Sequence, residues 1–572
     1  MAKTQTLRLG LAQINTTVGD FAGNLKRMKR ALKQARALGV ELLAFPELAI
    51  CGYPPEDLLL KPQFIAKNLE CLHKLAEDVD GVTVVAGFVD ADQGRLYNAA
   101  AIISGGALSG VYRKIFLPNY GVFDEKRYFR EGHERPVFTL NGVPFAVSIC
   151  EDSWYDGGQS TAMAQGARLI VNISASPYHY RKAGEREELL VRRAREDGVA
   201  LAHVNLVGGQ DELVFDGNSL VVDSVGLVLA RGRPFDEDLV GADLVLGCAL
   251  ATRGCAPAPI RGEPHIVLSA KTTHVEKPPL PERFVPELGR EAEIYSALVL
   301  GTRDYCAKNG FKKAALGISG GIDSGLVAAV AVDALGDGNV VGVAMPSRYS
   351  SPGSVADAEK LCRNLGIRLI AMPIEPVFEA YLTSLAEAFR GLPVDSTEEN
   401  IQARIRGNFL MALSNKFGWL VLPTGNKSEM AAGYATLYGD MAGGFAILKD
   451  VPKTTVYELA AYRNAQAGYD IIPQSVIDKP PSAELRPNQK DTDNLPPYDQ
   501  LDPIIKAYVE EDRSIEQMLA AGMDDAVVRQ AVRLIDGSEY KRRQAPPGIK
   551  ITVRAFGKDR RLPITNKYRG DG

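Results

Sequence analysis

The stretch that decides the fold of the second half is AALGISGGIDSGLVAAVAVDAL, residues 314–335. It reads as a short apolar strand, a turn rich in Ser and Gly, and an apolar helix that begins near Asp323. Backbone N–H groups in such a turn form an anion nest, and the helix N-terminus adds a favourable dipole. The spacing differs from G-x-x-x-x-G-K-[ST], so the turn predicts a phosphate cradle without the phosphate-loop lysine. Asp323 is suited to hold Mg²⁺ beside the phosphates.

The segments around this turn alternate between helix and strand. The pattern predicts a helix over 291–310, strands over 340–346 and 368–374, and a helix over 355–366 between those strands. Such alternation is typical of a doubly wound parallel sheet in an α/β domain. The later stretch 474–503 is polar and contains six prolines, which predicts a mobile loop or lid.

The first half, residues 1 to about 250, contains several short apolar strands with helical segments between them, which favours a layered α/β domain. Residues 251–290 are rich in proline and have no sustained period, so they predict a linker. We therefore expect a domain at 1–250, a linker at 251–290 and a second domain at 291–572.

Composition excludes several classes of protein. The 572 residues include 66 Lys and Arg against 70 Asp and Glu, a balance of −4 that gives no general attraction for nucleic acid or an anionic membrane. No charge-free apolar run is long enough to span a bilayer, and the first residues read as a strand, which favours a cytoplasmic protein. Seven scattered cysteines without a C-x-x-C pair disfavour both a disulfide framework and a zinc site. All six histidines lie in the first half, so the second half needs chemistry without histidine.

Three residues of the first half stand where catalytic groups are expected. Cys150 follows the apolar strand VPFAVSIC, and a helix N-terminus after such a strand would lower the pKa of its thiol. Glu47 and Lys114 also follow strand-like runs, in FPELAICGYPPEDL and VYRKIFLPNY. A carboxylate that accepts the thiol proton and an ammonium that stabilises an oxyanion are what amide hydrolysis through a thioester requires. Singly, each is more often a buried cysteine or a surface charge.

Together these residues resemble the nitrilase/amidase superfamily, which has Glu in a P-E-L context, Lys in R-K-x-x-L-P and Cys in I-C-E-D. The resemblance covers about 250 residues and implies a four-layer α/β/β/α sandwich. It implies that Glu47 is the general base, Lys114 the stabiliser of the transition state and Cys150 the nucleophile. Glu125 matches a second glutamate of the superfamily. By the same analogy the residues that hold glutamine are Tyr120, Ser176 and Lys182.

The second half resembles the N-type ATP pyrophosphatase superfamily through S-G-G-x-D-S, and an adenine nucleotide hydrolase-like fold is implied. LVLPTGNKSEMAAGYATLYGDMAGGFAILKDVPKTTVYELA, residues 420–460, is similar to the signature of NAD synthetases. By analogy ATP would be bound by nine residues: Gly317, Ile318, Ser319, Gly320, Gly321, Ile322, Asp323, Ser324 and Thr424. Deamido-NAD would be bound by Asn400, Glu429 and Lys541, and Asp323 and Glu429 would share Mg²⁺. The roles of Arg542 and Arg543, and of Lys427, Lys449 and Lys453, are left open.

A nitrilase-type amidase joined to an NAD synthetase resembles the family of glutamine-dependent NAD synthetases over nearly the whole chain. The implied activity is a ligase reaction, the ATP-dependent amidation of deamido-NAD with ammonia from glutamine, through an adenylate that yields AMP and pyrophosphate. It is the last step of NAD biosynthesis. Fusion has a chemical reason, because ammonia is mostly protonated in neutral water and a shielded path keeps it nucleophilic. The resemblance also implies a homo-oligomer.

Two other functions compete with this interpretation. Another amidotransferase of the ATP pyrophosphatase superfamily, acting on a purine or an aspartate, would share S-G-G-x-D-S but lack L-P-T-G-N-K-S-E and K-D-V-x-K-T, and both stretches are present. An amidase whose second half only senses a nucleotide would not make AMP and pyrophosphate when deamido-NAD is supplied. A scaffold with relic motifs would require a broken triad or turn, and neither is broken.

Overall fold

The computed structural model describes residues 5–154, 166–246, 262–269, 276–283, 285 and 287–568. The chain forms two compact units, residues 1–210 with 214–287, and residues 211–213 with 288–572. Much of the stretch 251–290, predicted as a linker, lies outside the described residues. Its described part includes a short strand at His265–Val267.

The first unit is built on two sheets. Its strands in chain order are β1 (Gln5–Gln13), β2 (Leu42–Ala44), β3 (Thr83–Asp92), β4 (Arg95–Ser104), β5 (Ala107–Arg113), β6 (Val137–Leu140), β7 (Val143–Ile149), β8 (Leu169–Ser174), β9 (Ala200–Asn205), β10 (Val207–Gln210), β11 (Leu213–Asp216), β12 (Leu220–Val222), β13 (Val228–Arg231), β14 (Asp238–Leu246) and β15 (His265–Val267). One sheet has the order β14-β1-β2-β3-β4-β5 and the other β13-β12-β9-β8-β7-β6-β15, while β10 and β11 pair separately. Strands β1, β2 and β3 run parallel, as do β7, β8 and β9.

Helices cover the outer faces of these two sheets. The helices are α1 (Phe21–Ala37), α2 (Pro62–Ala76) and α3 (Lys182–Asp197). One apolar core contains residues of both sheets, among them Leu9 and Val147, and a second core packs α1 and α2 on the first sheet through Met28 and Leu72. Helix α3 packs against β9 and β12. Because both faces of β7 and β8 are covered, these strands are buried along almost their whole length and are mostly apolar. The predicted α/β/β/α sandwich is confirmed.

The second unit contains a four-stranded sheet in which every pair is parallel. Its strands are β16 (Ala314–Gly317), β17 (Val340–Ala344), β18 (Arg368–Ala371) and β19 (Leu420–Val421), in the order β18-β17-β16-β19. The order reverses beside β16, and in open α/β sheets ligands bind at the carboxyl ends of strands at such a reversal. The predicted doubly wound parallel sheet is confirmed, and its switch point lies at the Ser- and Gly-rich turn after β16.

Helices of the second unit vary in length and burial. They are α4 (Arg290–Lys308), α5 (Ile322–Leu335), α6 (Pro352–Leu365), α7 (Glu375–Leu385), α8 (Ser396–Phe417), α9 (Lys427–Ala432), α10 (Lys453–Ala467), α11 (Gln474–Asp478), α12 (Tyr498–Ile505), α13 (Ile515–Ala520), α14 (Asp525–Gly537) and α15 (Glu539–Arg542). Helix α5 is apolar around its circumference and is the buried helix of the unit, as such a sequence predicts. No helix in the described part of the chain is both long and apolar enough to cross a membrane.

The stretch 474–503, predicted as a loop, contains helical turns. Helix α11 opens it and α12 begins near its end, with Pro473 and Pro497 at their N-cap positions. Proline is tolerated at the start of a helix because the N–H groups there have no partner within the helix, so a proline-rich sequence did not exclude short helices. Residues 479–485 line the large cavity of the unit.

Candidate functional site

Glu47 and Lys114 form a buried ion pair in the first unit. Glu47 lies three residues after the end of β2, and Lys114 directly follows β5. Lys114 Nζ lies 2.7 Å from Glu47 Oε1, and the side chains of both residues are fully buried. The other carboxylate oxygen, Glu47 Oε2, accepts a hydrogen bond of 2.9 Å from the backbone N–H of Ala175, just beyond β8. This contact brings together two residues that the sequence predicts as catalytic.

Glu125 is a second carboxylate on the same ammonium. Its Oε1 lies 2.8 Å from Lys114 Nζ and accepts a hydrogen bond of 3.2 Å from the hydroxyl of Tyr53. The amide nitrogen of Asn98 donates to Glu47 Oε1 at 2.7 Å and to Glu125 Oε2 at 3.4 Å. Burial, reinforced by the charge of Glu47 and opposed by Lys114, raises the pKa of Glu125 to about 7. Sequence reasoning missed Asn98 because nothing in R-L-Y-N marks it as a neighbour of two carboxylates.

Cys150 follows β7 and is buried, with a backbone φ of +43° that L residues rarely adopt. The predicted lowering of its thiol pKa is wrong, because burial together with the charge of Glu47 raises that pKa well above its ordinary value, against a smaller opposing effect of Lys114. Cys150 opens a 3₁₀ turn, Cys150–Ser153, and the helix predicted to follow it lies outside the described residues. A thiol in this state needs a base, and Glu47 is the carboxylate whose charge acts on it most strongly.

The three residues predicted to hold glutamine lie around Cys150. The exposed Tyr120 donates its hydroxyl hydrogen bond to Glu151 Oε1 at 2.8 Å. Ser176 is buried one residue after Ala175, whose N–H reaches Glu47. Lys182 opens α3 with its ammonium 3.7 Å from the ring centroid of Trp154, and burial lowers its pKa.

The charges of Cys150 and Glu151 raise the pKa of Lys182, against the larger effect of burial. Tyr120 and Lys182 are therefore brought to the same edge of the site. Sequence reasoning did not single out Glu151, although it stands beside the nucleophile in I-C-E-D.

The second unit holds a cavity of about 290 Å³ at the carboxyl ends of β16 and β19. Eight of the nine predicted ATP residues line it: Gly317, Ile318, Ser319, Gly321, Ile322, Asp323, Ser324 and Thr424. The ninth, Gly320, has a φ of +76°, and a Cβ there would lie 2.2 Å from the backbone oxygen of Ser354. Glycine is therefore required at this position of the turn.

Charged side chains gather at one wall of this cavity. Lys453 Nζ contacts Asp323 Oδ2 and lies 3.8 Å from Glu429 Oε1. Asn426 donates to Asp323 Oδ1 at 2.8 Å and caps α9, on which Glu429 lies. Burial, and then the charge of Asp323, raises the pKa of Glu429 to about 8, which Lys453 opposes. Asp491 also lines the cavity, and its charge adds to that of Asp323.

This donor set fits Mg²⁺ when phosphate is present. Among the described residues no three acidic, histidine or cysteine side chains are grouped as a metal cage. Mg²⁺ is usually bound through one or two carboxylates and substrate phosphates rather than by a cage made only of protein ligands. Asp323 and Glu429, side by side on the wall that holds the phosphate nest, supply that number of carboxylates.

Asn400 and Lys541 are not among the residues that line the cavity. Asn400 Oδ1 accepts a hydrogen bond of 2.7 Å from the hydroxyl of Thr436. Lys541 Nζ donates to the backbone oxygens of Gly433 and Ala435, at 2.6 and 2.8 Å. Since Ala435 does line the cavity, Lys541 lies directly behind its wall.

Of the basic residues whose roles the sequence left open, one lines the cavity and the others lie outside its lining. Arg542 is buried and donates to the backbone oxygens of Ala431 and Ile535, while Arg543 pairs with Glu539. Lys427 is fully buried in ion pairs, and Lys449 does not line the cavity. Lys453 alone of the three lysines named from the sequence lies in the cavity wall.

The two units define a class of protein, a carbon–nitrogen hydrolase joined to an NAD synthase. The carbon-nitrogen hydrolase family model matches residues 8–253, and the NAD synthase family model matches residues 294–545. Relatives and a solved structure cover the whole length. The chain belongs to the family of glutamine-dependent NAD(+) synthetases.

The relatives that show this membership match almost end to end. The glutamine-dependent NAD(+) synthetase of Thermotoga maritima is 50% identical over 98% of this chain and 99% of the relative, and that of Aquifex aeolicus is 47% identical over 98% and 100%. A structure of glutamine-dependent NAD+ synthetase from Acinetobacter baumannii in complex with ADP is 40% identical, with a TM-score of 0.75 over 98% of this chain and 99% of that one.

Proposed function

We propose that the chain converts deamido-NAD to NAD by ATP-dependent amidation, with ammonia released from glutamine in the first unit. The observation that carries the proposal is the buried Glu47–Lys114 pair beside Cys150, in a chain whose second unit has a Ser- and Gly-rich turn lining a cavity at the switch point of its sheet. The family to which the chain belongs supports the same reaction.

In the first unit Glu47 takes the proton of the Cys150 thiol, and the sulfur attacks the side-chain carbonyl carbon of glutamine. Lys114 stabilises the oxyanion that develops, and the amide nitrogen leaves as ammonia with the proton returned by Glu47. The thioester is then attacked by water, which Glu47 deprotonates, and glutamate leaves as the thiol reforms. Tyr120, Ser176 and Lys182 hold glutamine for these steps.

In the second unit the ionised nicotinate carboxylate of deamido-NAD attacks the α-phosphorus of ATP, and pyrophosphate leaves. The backbone of Ser319–Ser324 holds the departing phosphates, Thr424 contacts ATP, and Asn400, Glu429 and Lys541 hold the dinucleotide. Asp323 and Glu429 would hold Mg²⁺, which when bound supplies charge neutralisation on the phosphates. Ammonia then attacks the acyl carbon of the adenylate and displaces AMP. No histidine base is needed, because the carboxylate is already ionised and ammonia has its own lone pair.

Four further statements about the whole molecule are predictions. We place the functional boundaries at residues 1–250, 251–290 and 291–572. We expect a cytoplasmic enzyme that assembles as a homo-oligomer and acts on small molecules alone. Fractionation of cells and light scattering of the purified protein test location and assembly.

The proposed reaction has a fixed stoichiometry. Purified protein supplied with deamido-NAD, ATP, Mg²⁺ and glutamine should form NAD, AMP, pyrophosphate and glutamate, and AMP should not form when deamido-NAD is left out. AMP formation that is independent of deamido-NAD, or glutamate formation without any NAD, would contradict the proposal. The second of those results would favour an amidase that only senses nucleotide.

A further inference from the structure

Asp152 is a buried carboxylate that accepts four hydrogen bonds from two separate segments of the first unit. Its Oδ1 accepts from the backbone N–H groups of Ile115 and Phe116, at 3.2 and 2.9 Å. Its Oδ2 accepts from the backbone N–H of Ile149 at 3.0 Å and from the hydroxyl of Tyr112 at 2.7 Å. Both oxygens are therefore occupied by donors, and both receive at least one backbone N–H.

Each of these donors lies next to one of the two catalytic residues in the sequence. Ile115 and Phe116 follow Lys114 directly, and Ile149 immediately precedes Cys150. Asp152 thus joins the segment that carries the ammonium to the turn that carries the nucleophile. That turn is strained, because Cys150 has a φ of +43°, and a residue in this conformation persists only when the structure around it holds it.

From this arrangement, and resting on the proposed glutaminase reaction, we infer that Asp152 is a positioning residue that fixes the separation of Lys114 and Cys150. The residue does not touch the reacting atoms. A displacement of reacting groups by about 1 Å lowers the rate on the order of a hundredfold. We therefore expect loss of the Asp152 hydrogen bonds to slow the chemical step more than it weakens substrate binding.

Packing alone does not explain a carboxylate at this place. Among the described residues no lysine, arginine or histidine forms an ion pair with Asp152 within 4.0 Å, so its four hydrogen-bond donors are what mainly offset the cost of burying its charge. Burial still outweighs them and raises the pKa of Asp152 above its ordinary value. Every one of those donors belongs to a residue within two positions of Lys114 or one position of Cys150.

Asp152→Asn is the sharpest variant, because an amide keeps the size of the side chain but has a single acceptor oxygen. Whichever way the amide is turned, its NH₂ faces a backbone N–H, either that of Ile149 or those of Ile115 and Phe116. The matched control is Asp223→Asn. Asp223 Oδ1 accepts from the backbone N–H groups of Val225 and Leu227 in a turn, which is a similar role away from the site.

The experiment measures glutamine hydrolysis, NAD formation from ammonium, and the rate at which iodoacetamide labels Cys150, read by peptide mass spectrometry. Asp152→Asn should lower kcat for glutamine hydrolysis by about tenfold or more, with KM for glutamine changed by less than about threefold. The rate at which iodoacetamide labels Cys150 should differ from that of wild type, while NAD formation from ammonium stays within about twofold of wild type. Asp223→Asn should stay within about twofold in every assay.

Tyr112→Phe provides a second test, since it removes one donor and leaves the three backbone donors. Tyr112→Phe should lower kcat for glutamine hydrolysis by about threefold to tenfold. If Asp152→Asn does not fold, this variant tests the positioning role of Asp152 in its place. Wild-type kcat in a folded Asp152→Asn variant overturns the inference, as does a loss of ammonium-dependent activity equal to the loss of glutamine hydrolysis. A wild-type protein without glutaminase activity would instead refute the proposed function.

Discussion

Lys114 Nζ lies 2.7 Å from Glu47 Oε1, although the two residues are 67 positions apart and both side chains are fully buried. A buried ammonium held by a carboxylate can stabilise an oxyanion without drawing on solvent, because its charge is fixed before the reaction begins. The negative charge of Glu47 also raises the pKa of Cys150, although burial has the larger effect. The pair is thus the electrostatic centre of the proposed glutaminase site.

Glu47→Gln should remove the proposed base while keeping the shape of the side chain. We expect kcat for glutamine hydrolysis to fall by about 10²- to 10⁴-fold, the usual contribution of a general base. Glutamate release measured by a coupled assay checks the result. Glu77→Gln, at the end of helix α2, is the control and should be unchanged. Near-normal hydrolysis in Glu47→Gln would remove Glu47 from the mechanism.

Glu125 should give the glutaminase site a pH dependence near neutrality. Burial and the charge of Glu47 raise its pKa to about 7 against the opposing effect of Lys114, so this carboxyl is neutral below that pH and ionised above it. Only the ionised form pairs with the Lys114 ammonium, and we therefore expect kcat for glutamine hydrolysis to fall as the pH drops through about 7. Glu125→Gln should lack that ionisation. If the pH profiles of the variant and the wild type coincide, Glu125 does not control the rate.

Lys427 should be important for stability and unimportant for chemistry. Its fully buried ammonium lies 2.9 Å from Asp450 Oδ1 and 2.6 Å from Glu510 Oε1. Lys427→Met leaves both carboxylates buried without their cation, which costs about 3–5 kcal/mol of unfolding free energy. Unfolding in urea checks the loss, with the exposed Lys506→Met as a control that should change little. A stable Lys427→Met variant that fails only to bind ATP would contradict this assignment.

Asp323 should be required for amidation and not for glutamine hydrolysis. Its carboxylate faces the cavity of the second unit and contacts Lys453 and Asn426. Asp323→Ala should reduce NAD formation by about a hundredfold or more with either nitrogen donor, because the proposed Mg²⁺ site loses a carboxylate ligand. Glutamate release should remain, and Asp337→Ala, outside the cavity, should behave as wild type. Persistent amidation in Asp323→Ala would show that the metal assignment is wrong.

Strand ends and short motifs were enough to predict where most of the site lies. Glu47, Lys114 and Cys150 each follow a strand, and the turn after β16 follows the strand at which the sheet order reverses, so these positions can be recognised from the sequence alone. What the sequence could not reveal depends on contacts between distant segments. Asn98 bridges two carboxylates and stands in no pattern that distinguishes it. Asp152 stands in I-C-E-D beside the nucleophile, yet that motif does not show which two segments its carboxylate joins.

Burial explains the other differences between prediction and structure. Lys427 and Lys453 both lie in the stretch 420–460 that resembles the NAD synthetase signature, but Lys427 is buried in ion pairs and Lys453 lines the cavity. The thiol of Cys150 stands after a strand as predicted, yet burial, followed by the charge of Glu47, raises its pKa. Such effects depend on the packed structure and have no signal in local sequence.

Cys150→Ala tests the central claim most directly, because it separates the two sites by nitrogen donor. NAD formation from deamido-NAD and ATP is measured with glutamine and, in parallel, with ammonium. We predict that the variant forms no NAD from glutamine and retains NAD formation from ammonium at a rate close to that of wild type. Loss of NAD formation from both donors, or its survival with glutamine, would contradict the account of two sites joined by ammonia.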